Sequence, residues 1–476
     1  MKYKVIDENK ILIKTRDTVQ IKLSITAKPK MDNAWWYRPA QTVARLLMMV
    51  RSVNVSYRTQ YSMMVPGFLP NVGDMLGQRR LGGMMAPGLD FAFGLMGDHY
   101  IDKAMDRGWL LVNDRVSTPA TINSTKDLQI RAVLEPLPDL KIDLNASRTD
   151  NQARSIQYMF EGMPTTFSGS FNMTTISLKG ALAGIGNANN GYHSAAFDKF
   201  REVLPEFQQR TGTEYSAEAM IPAFLAAYTT GAGKSLAIFP AITRLLPNWS
   251  IRYGGLSKLP WVQEHLKSLN LNHSYKSVYS VGSYTLPSIP TVSINEAFAP
   301  LIGVDATFQN NLTAKVEYRT TRVMNLSMTS IQINEALSRD LVAGVAYKIQ
   351  DFNLFGAKGN RKVKKAQNPK SKATQANATE TKTTSKTGVN HDLNLRLDIS
   401  FRKQAAITRD IATGTSSASS GNSAFKLSFM ADYTLSRLLT LTAYYDQQTN
   451  TPLLASSSYP TTTYDFGLSL KFSLTR

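Results

Sequence analysis

The run from Tyr464 to Leu474 reads Y-D-F-G-L-S-L-K-F-S-L, and it limits the fold more than any other stretch. Phe466, Leu468, Leu470, Phe472 and Leu474 alternate with Asp465, Gly467, Ser469, Lys471 and Ser473. Successive side chains of a strand point to opposite faces, so this strand has one apolar and one polar face. A soluble sandwich alternates in the same way, and the run alone does not separate it from a membrane strand. Its recurrence carries more weight. Several upstream runs reach the roughly 9–11 residues that a tilted strand needs to cross a bilayer.

Taken in order, Ile11/Ile13 and Val19/Ile21/Leu23/Ile25 predict a hairpin split at Arg16-Asp17, and Trp35-Trp36-Tyr37 precedes a strand at Val53/Val55/Tyr57. Leu128/Ile130/Ala132/Leu134 and Leu140/Ile142/Leu144/Ala146 flank Glu135–Asp139, whose two prolines suit a turn. Strands follow near Ser155–Phe160 and Phe167–Leu178, then at Trp249/Ile251/Tyr253 and Leu269/Leu271/His273/Tyr275. From Val304 they come at short intervals: Val304–Phe308, Leu312–Tyr318, Val323–Met328, Leu341–Ile349, Leu393–Phe401, Phe425–Tyr433 and Leu439–Tyr445. That makes roughly fourteen to sixteen strands. In a barrel, Leu312, Val316, Tyr318, Leu393, Leu395, Leu397, Phe401 and Phe466 would face lipid. Lys315, Glu317, Arg319, Arg396 and Asp398 would face a wet lumen.

No apolar run approaches the roughly 18 residues of a spanning helix; Ala223–Tyr228 is the longest. A bilayer could therefore be crossed only by strands. Charged residues are only 19 % of the chain, while Tyr and Phe number 20 each, a balance suited to aromatic membrane girdles. The absence of cysteine excludes disulfides and thiolate metal sites. The opening M-K-Y-K-V-I-D-E-N-K lacks the apolar core of a secretory signal, which conflicts with export. The net charge of +19 is partly concentrated in Ala357–Asn390, which holds nine basic residues and one acid. With no aromatic to stack on bases and almost nothing to bury, that segment predicts a solvated, disordered loop rather than a nucleic-acid arm.

Two stretches break the alternation. Residues 66–120 are rich in Gly and Pro, with a short helical pattern near Asp102–Met105, and predict a long loop or plug. In 180–247, Phe197, Phe200, Leu204 and Phe207 recur at helical spacing, with Pro205 kinking or ending that helix, and Pro222–Tyr228 predicts a second. The domain plan is first barrel strands in 1–65, the loop or plug in 66–120, strands in 121–179, a helical extracellular insertion in 180–247, strands in 248–356, the basic loop in 357–390 and the last strands in 391–476. With the C-terminus in the periplasm, strand parity puts Glu135–Asp139, Arg319–Arg322 and Leu435–Leu438 inside. It puts 180–247, Lys403–Ser423 and Asp446–Pro460 outside. The basic loop falls inside, against the habit of short periplasmic turns.

Chemistry finds little support. Gly231-Ala-Gly-Lys-Ser235 ends like a phosphate loop, but Tyr228 stands where its first glycine belongs. His273 has no partner at metal spacing and reads as a packing residue. Carboxylates alternate with Lys and Arg rather than pairing as acid and base. The expectation is a non-enzyme without cofactor or metal.

Longer strings are more specific. Pro247-Asn-Trp-Ser-Ile-Arg-Tyr-Gly-Gly-Leu-Ser-Lys-Leu-Pro-Trp261 stands with Pro222-Ala-Phe-Leu-Ala-Ala-Tyr-Thr229, Ala299-Pro-Leu-Ile-Gly-Val-Asp305, Asn311-Leu-Thr313 and Pro66-Gly-Phe-Leu-Pro70. Together they resemble the C-terminal region of the SprA/Sov family, from about residue 40 to the end. Asp465-x-Gly467-x-x-Leu470-x-Phe472 resembles the C-terminal insertion signal of outer-membrane barrels. The family's members are giant outer-membrane barrels of Bacteroidetes that act as the translocon of the type 9 secretion system. The resemblance implies a lateral opening, a PorV-like shuttle partner, a periplasmic plug protein, cargo bearing a type 9 C-terminal signal, and links to gliding motility. The expected fold class is all-β: an antiparallel transmembrane β-barrel segment, the C-terminal part of a giant barrel, with a small helical insertion. A complete smaller porin or transporter barrel and a soluble basic β-rich binding protein stay open beside it.

Overall fold

The computed structural model describes residues 2–7, 10–14, 48–71, 73, 76–81, 84–97, 99–112, 118–160, 162–178, 188–350, 352, 392–436, 438–454 and 459–473. The basic loop at 357–390, the Val19–Ile25 strand and Trp35–Tyr37 lie outside the described residues. The chain divides into two compact units, Met1–Met49 and Val50–Arg476. In the first, β1 (Lys2–Asp7) pairs antiparallel with β2 (Lys10–Lys14). Ile11 and Ile13 lie in the second strand of this hairpin, and the turn expected at Arg16-Asp17 lies outside the described residues. Asp7, paired with Lys10, closes the first strand, and aspartate favours turns.

The second unit is built on a 13-stranded antiparallel sheet. Its strands are β3 (Val50–Met64), β6 (Ala120–Leu137), β7 (Leu140–Ile156), β8 (Thr165–Thr174), β9 (Asn248–Tyr253), β10 (Leu266–Thr285), β11 (Thr291–Phe308), β12 (Leu312–Ser327), β13 (Gln332–Ile349), β14 (Leu393–Asp410), β15 (Ser416–Ser436), β16 (Leu439–Pro452) and β17 (Thr461–Phe472). A separate hairpin, β4 (Arg79–Leu81) with β5 (Met84–Ala86), lies in the β3–β6 connection. Neighbours in sequence are neighbours in the sheet, with one exception. β8 and β9 share a single lane between β7 and β10, end to end. The chain leaves that lane after Thr174, builds the helical insertion, and re-enters it at Asn248. β3 and β17 form the two edges, and neither has a second partner among the described residues.

The strands are longer than the alternation suggested. Arg319–Arg322 is not a turn but the middle of β12, paired with β13 throughout. Most of Lys403–Ser423 is likewise ladder, in β14 and β15. The apolar pattern stops at Thr320 and Arg322 because the environment of that face changes there. Thr320 and Thr321 still favour extended backbone, so the ladder runs on.

Two small bodies cover one end of the sheet's apolar face. The insertion contributes α3 (Ala195–Thr211) and α4 (Ala217–Tyr228). Ser194 caps α3 by accepting from the Phe197 N–H at 3.5 Å, and left-handed Gly212 ends it. Pro205 does not end this helix, which runs on to Thr211. Ser216 caps α4 through the Ala219 N–H. Phe197, Phe200, Leu204, Phe207 and Phe224 pack on Phe171, Tyr279, Ile294, Met324 and Ile333 of the sheet.

The second body is the β3–β6 connection, with short helices α1 (Leu89–Ala92) and α2 (Tyr100–Asp106). Tyr100, Ile101, Trp109 and Leu110 pack with Ile122 and Ile156 and against Tyr61 and Met63. Tyr158 donates its hydroxyl hydrogen to the Pro66 carbonyl at 2.6 Å. Asp90 and Lys103 pair at 2.5 Å; burial would raise the Asp90 pKa, but the Lys103 hydrogen bond and charge hold it below the usual range. The described part of the 66–120 segment thus packs on the apolar face, because most of its buried side chains are apolar. A third short helix, α5 (Pro260–His265), links β9 to β10 at the other end.

Candidate membrane interface

Directly opposed residues of neighbouring strands share a face, so the register carries each row across the sheet. One row joins Tyr318, Leu341, Phe401 and Phe425. Two rows nearer the C-terminal end, Ala314, Val345, Leu397, Phe429, Tyr445 and Phe466 align. The next row is Leu312, Tyr347, Leu395, Ala431, Ala443 and Leu468. On the other side the same face carries Val304, Leu271, Tyr253, Leu140, Ile130 and Val55. These side chains are largely uncovered: Phe466 is 78 % exposed, Leu468 77 % and Ile302 62 %. Patches on soluble monomers rarely exceed a few hundred Å², and this one runs from edge to edge of the sheet.

The rims of this band are informative. The upper rim passes through Tyr464 on β17, Phe425 on β15, Tyr318 on β12, Phe298 on β11 and Tyr57 on β3. Followed through the register, it climbs by about eight residues from β17 to β3. The lower rim, from Phe472 through Leu393, Leu312 and Tyr253 to Leu134, climbs by about as much. The band therefore keeps a height of about seven to nine residues while crossing strands inclined to it by roughly 25–30°. Perpendicular to its rims it is about 20–25 Å tall, close to the apolar band of outer-membrane barrels.

The opposite face is polar along its whole length. Lys315 Nζ lies 2.7 Å from Glu317 Oε1, and Arg319 also donates to Glu317. Arg402 grips both carboxylate oxygens of Asp340 at 2.9 and 3.2 Å. Arg396 Nε donates to Asp398 at 2.5 Å, and Asn272 donates to Asp305 at 2.6 Å. Lys315, Glu317, Arg319, Arg396 and Asp398 thus share one face. Leu312, Val316, Tyr318, Leu393, Leu395, Leu397, Phe401 and Phe466 share the other. Of the proposed terminal signal, Asp465 and Gly467 stand on the polar face opposite Asp446 and Tyr444. Leu470 and Phe472 stand on the apolar face opposite Leu441 and Leu439.

Beyond the upper rim, the apolar face holds a buried ion cluster that the alternation concealed. Glu335 accepts from Arg322 Nε through one oxygen and from Arg409 Nε through the other, the latter at 2.8 Å. All three are nearly inaccessible, at 6 %, 4 % and 2 % exposure for Glu335, Arg322 and Arg409. The cluster reaches the insertion: Arg409 donates to the Tyr192 carbonyl at 2.6 Å and lies over the Phe197 ring, and Arg322 lies over the Tyr228 ring. Burial first, then the Glu335 charge, pushes the Tyr228 hydroxyl well above its ordinary pKa. The signal was present in the sequence as charges falling in phase with an apolar series, Arg322 after Tyr318 and Arg409 after Ile407.

The break in the β8–β9 lane is sealed by polar groups. Asn248 Oδ1 accepts from the Ser277 N–H at 2.8 Å, and the Thr175 N–H donates to the Ser277 carbonyl at 3.1 Å. Tyr275 takes a hydrogen bond from the Ser177 N–H and donates to Glu296 Oε1, both at 2.8 Å. The β10 backbone opposite the gap is therefore satisfied without a continuous neighbour. No helix among the described residues is long and apolar enough to cross a membrane. No protein-family model matches the chain, and no curated protein sequence matches it.

Proposed function

We propose that this chain forms part of the wall of a large outer-membrane barrel that conducts folded proteins, the translocon of a type 9 secretion system. The observation that carries the membrane reading is the apolar band of near-constant height, whose rims step together across the register. A soluble sheet needs no such common upper and lower boundary. A bilayer imposes one on every strand. The edges β3 and β17, which have no second partner among the described residues, support a wall that continues beyond this sheet, since unpaired backbone groups facing hydrocarbon cost several kcal/mol each. The SprA/Sov-like strings supply the secretion reading.

In this arrangement the Lys315–Glu317–Arg319 face lines the lumen and the Leu395–Leu468 face meets lipid. The C-terminal ends of the sheet point to the periplasm, and the two covering bodies lie outside. The partners are a PorV-like shuttle, a periplasmic plug protein and cargo with a type 9 C-terminal signal. The chain needs no cofactor for this role. Cells lacking the protein should hold such cargo in the periplasm while small-solute uptake is unchanged. Normal surface delivery of cargo with impaired solute uptake would overturn the reading in favour of a porin.

A further inference from the structure

The lower rim of the band passes through Tyr253, the last residue of β9, and the chain runs on from there into the connection that starts β10 at Leu266. That connection is fixed at several points. Ser257 Oγ stands in for a strand partner of Leu269, accepting its N–H at 2.8 Å and donating to its carbonyl at 3.0 Å. A Cβ on Gly255 would meet the Tyr253 ring at 2.6 Å, so the chain turns closely against a ring of the apolar face. Pro260 opens α5 at a position that tolerates it, and Val262 is fully buried. Gln309, in the β11–β12 turn, closes the other end of α5. Its N–H donates to the His265 carbonyl and its side chain to the Gln263 carbonyl, both at 3.1 Å. On this support Trp261 is 65 % exposed and Leu259 39 %. Trp109, by contrast, is buried, and Trp249 stacks on Tyr275 at 4.4 Å. The polar face has open grooves at this end, lined by Arg252 and Asn270 and by Thr307 and Thr313, and α5 lines neither. The nearby cations are already engaged, Lys258 with Asp139 and Lys267 with Asn311. What α5 offers is therefore an indole ring and an aliphatic side chain, held at the lower edge of the band.

We propose that Trp261, with Leu259 beside it, anchors the sheet in the headgroup region of the periplasmic leaflet. This rests on the membrane reading above, which makes the lower rim the boundary of the hydrocarbon. The occupant follows from continuity with the band. α5 joins β9 to β10 just below that boundary, so its uncovered side chains meet the layer between acyl chains and water. Tryptophan suits that layer: its ring is apolar, while its indole N–H seeks an acceptor that phospholipid carbonyls and phosphates supply. Because the neighbouring lysines are engaged, the anchor needs no anionic lipid. A ring held at this depth helps to set the tilt of the strands, as interfacial aromatic anchors do.

The test uses the full chain, purified in detergent and moved into nanodiscs of phosphatidylcholine whose acyl chains carry bromine either near the headgroup or near the chain end. Emission from Trp261 is read as the difference between the wild type and Trp261→Phe. The expected result is a difference emission quenched strongly by bromine near the headgroup, less by bromine near the chain end, and little by acrylamide in the water. Adding phosphatidylglycerol should leave that pattern unchanged, and a requirement for it would overturn an uncharged anchor. Stronger quenching from the chain end would place the ring inside the hydrocarbon and overturn the proposal. So would a difference emission quenched by acrylamide and untouched by either brominated lipid, which would put Trp261 in water. Lipid quenching of the other tryptophans would in those cases leave the membrane reading intact. Failure of the wild type to enter nanodiscs of any composition would instead overturn the membrane reading.

Discussion

The ring of Tyr444 lies over Gly467: a Cβ built on Gly467 would come within 2.7 Å of the Tyr444 hydroxyl oxygen and 2.8 Å of its Cζ. The two are direct partners across β16 and β17, on the polar face. An aromatic ring folded over a cross-strand glycine shields backbone that the glycine leaves bare, a known device for holding edge strands. The glycine of the terminal pattern thus has a physical reason independent of any receptor that reads the strand. Gly467→Ala should displace the ring, and Tyr444→Ala should expose the same backbone. The two changes should therefore be non-additive by about 0.5–1 kcal/mol in a double-mutant cycle of denaturant unfolding. Additive effects would mean the ring contributes nothing to the last pairing.

Glu335 holds Arg322 and Arg409 together beneath the insertion, and its loss would strand two buried guanidinium groups. Glu335→Ala should cost about 3–5 kcal/mol, the usual consequence of breaking a buried ion cluster from one side. The loss should appear as release of the helical body. Amide protection across Ala195–Tyr228 should fall while protection of β12 near Leu312 stays unchanged. Replacing all three charges by apolar residues of similar volume should restore much of the docking, since desolvation and attraction then vanish together. Uniform loss of protection along β12 would show that the cluster holds the sheet rather than the insertion.

Much of the sheet was legible because a strand with one apolar and one polar face must alternate. Leu393–Phe401 and Leu312–Tyr318 show that alternation without interruption. What stayed hidden lies where another element covers the apolar face. There Arg322, Glu335 and Arg409 occupy in-phase positions with charge, so β12 read as two strands with a turn at Arg319–Arg322. The shared lane of β8 and β9 was also out of reach. Six residues at Asn248–Tyr253 look like an ordinary short strand until their register with Leu140–Asn145 is known. The two covering bodies were recognised as breaks in the pattern. Their seat on the apolar face depends on long-range packing, such as the buried cluster that Phe224 shares with the strand residues Phe171 and Met324, that no local spacing encodes.

The two faces of β14 should respond oppositely to added charge. Leu397 sits midway between the rims of the band, in a row with Phe429, Tyr445 and Phe466. Leu397→Arg should cost about 2–4 kcal/mol, the figure for arginine near the bilayer midplane. Asn394→Arg, on the polar face beside Asp432, should cost far less. Heat-modifiability on gels and the fraction of protein recovered in outer membranes measure both. Equal loss in the two variants would contradict the assignment of faces.

The unpaired edges make the strongest demand. β3 exposes Val53, Val55 and Tyr57, and β17 exposes Phe466, Leu468, Leu470 and Phe472, each on a strand with a partner on one side only among the described residues. In hydrocarbon those free N–H and C=O groups must be satisfied by further strands or by each other. The sheet has twelve lanes, counting β8 and β9 as one, and a barrel of about that size encloses only a solute channel. Passage of folded proteins requires a wider lumen and therefore added strands between the edges. Reconstituted alone in planar bilayers, residues 1–476 should give no uniform conductance, and cysteines placed at Val55 and Leu468 should not crosslink within one molecule. Porin-like single-channel steps together with an intramolecular crosslink would mean that β3 and β17 close on each other. That outcome would replace the translocon wall by a small, complete barrel.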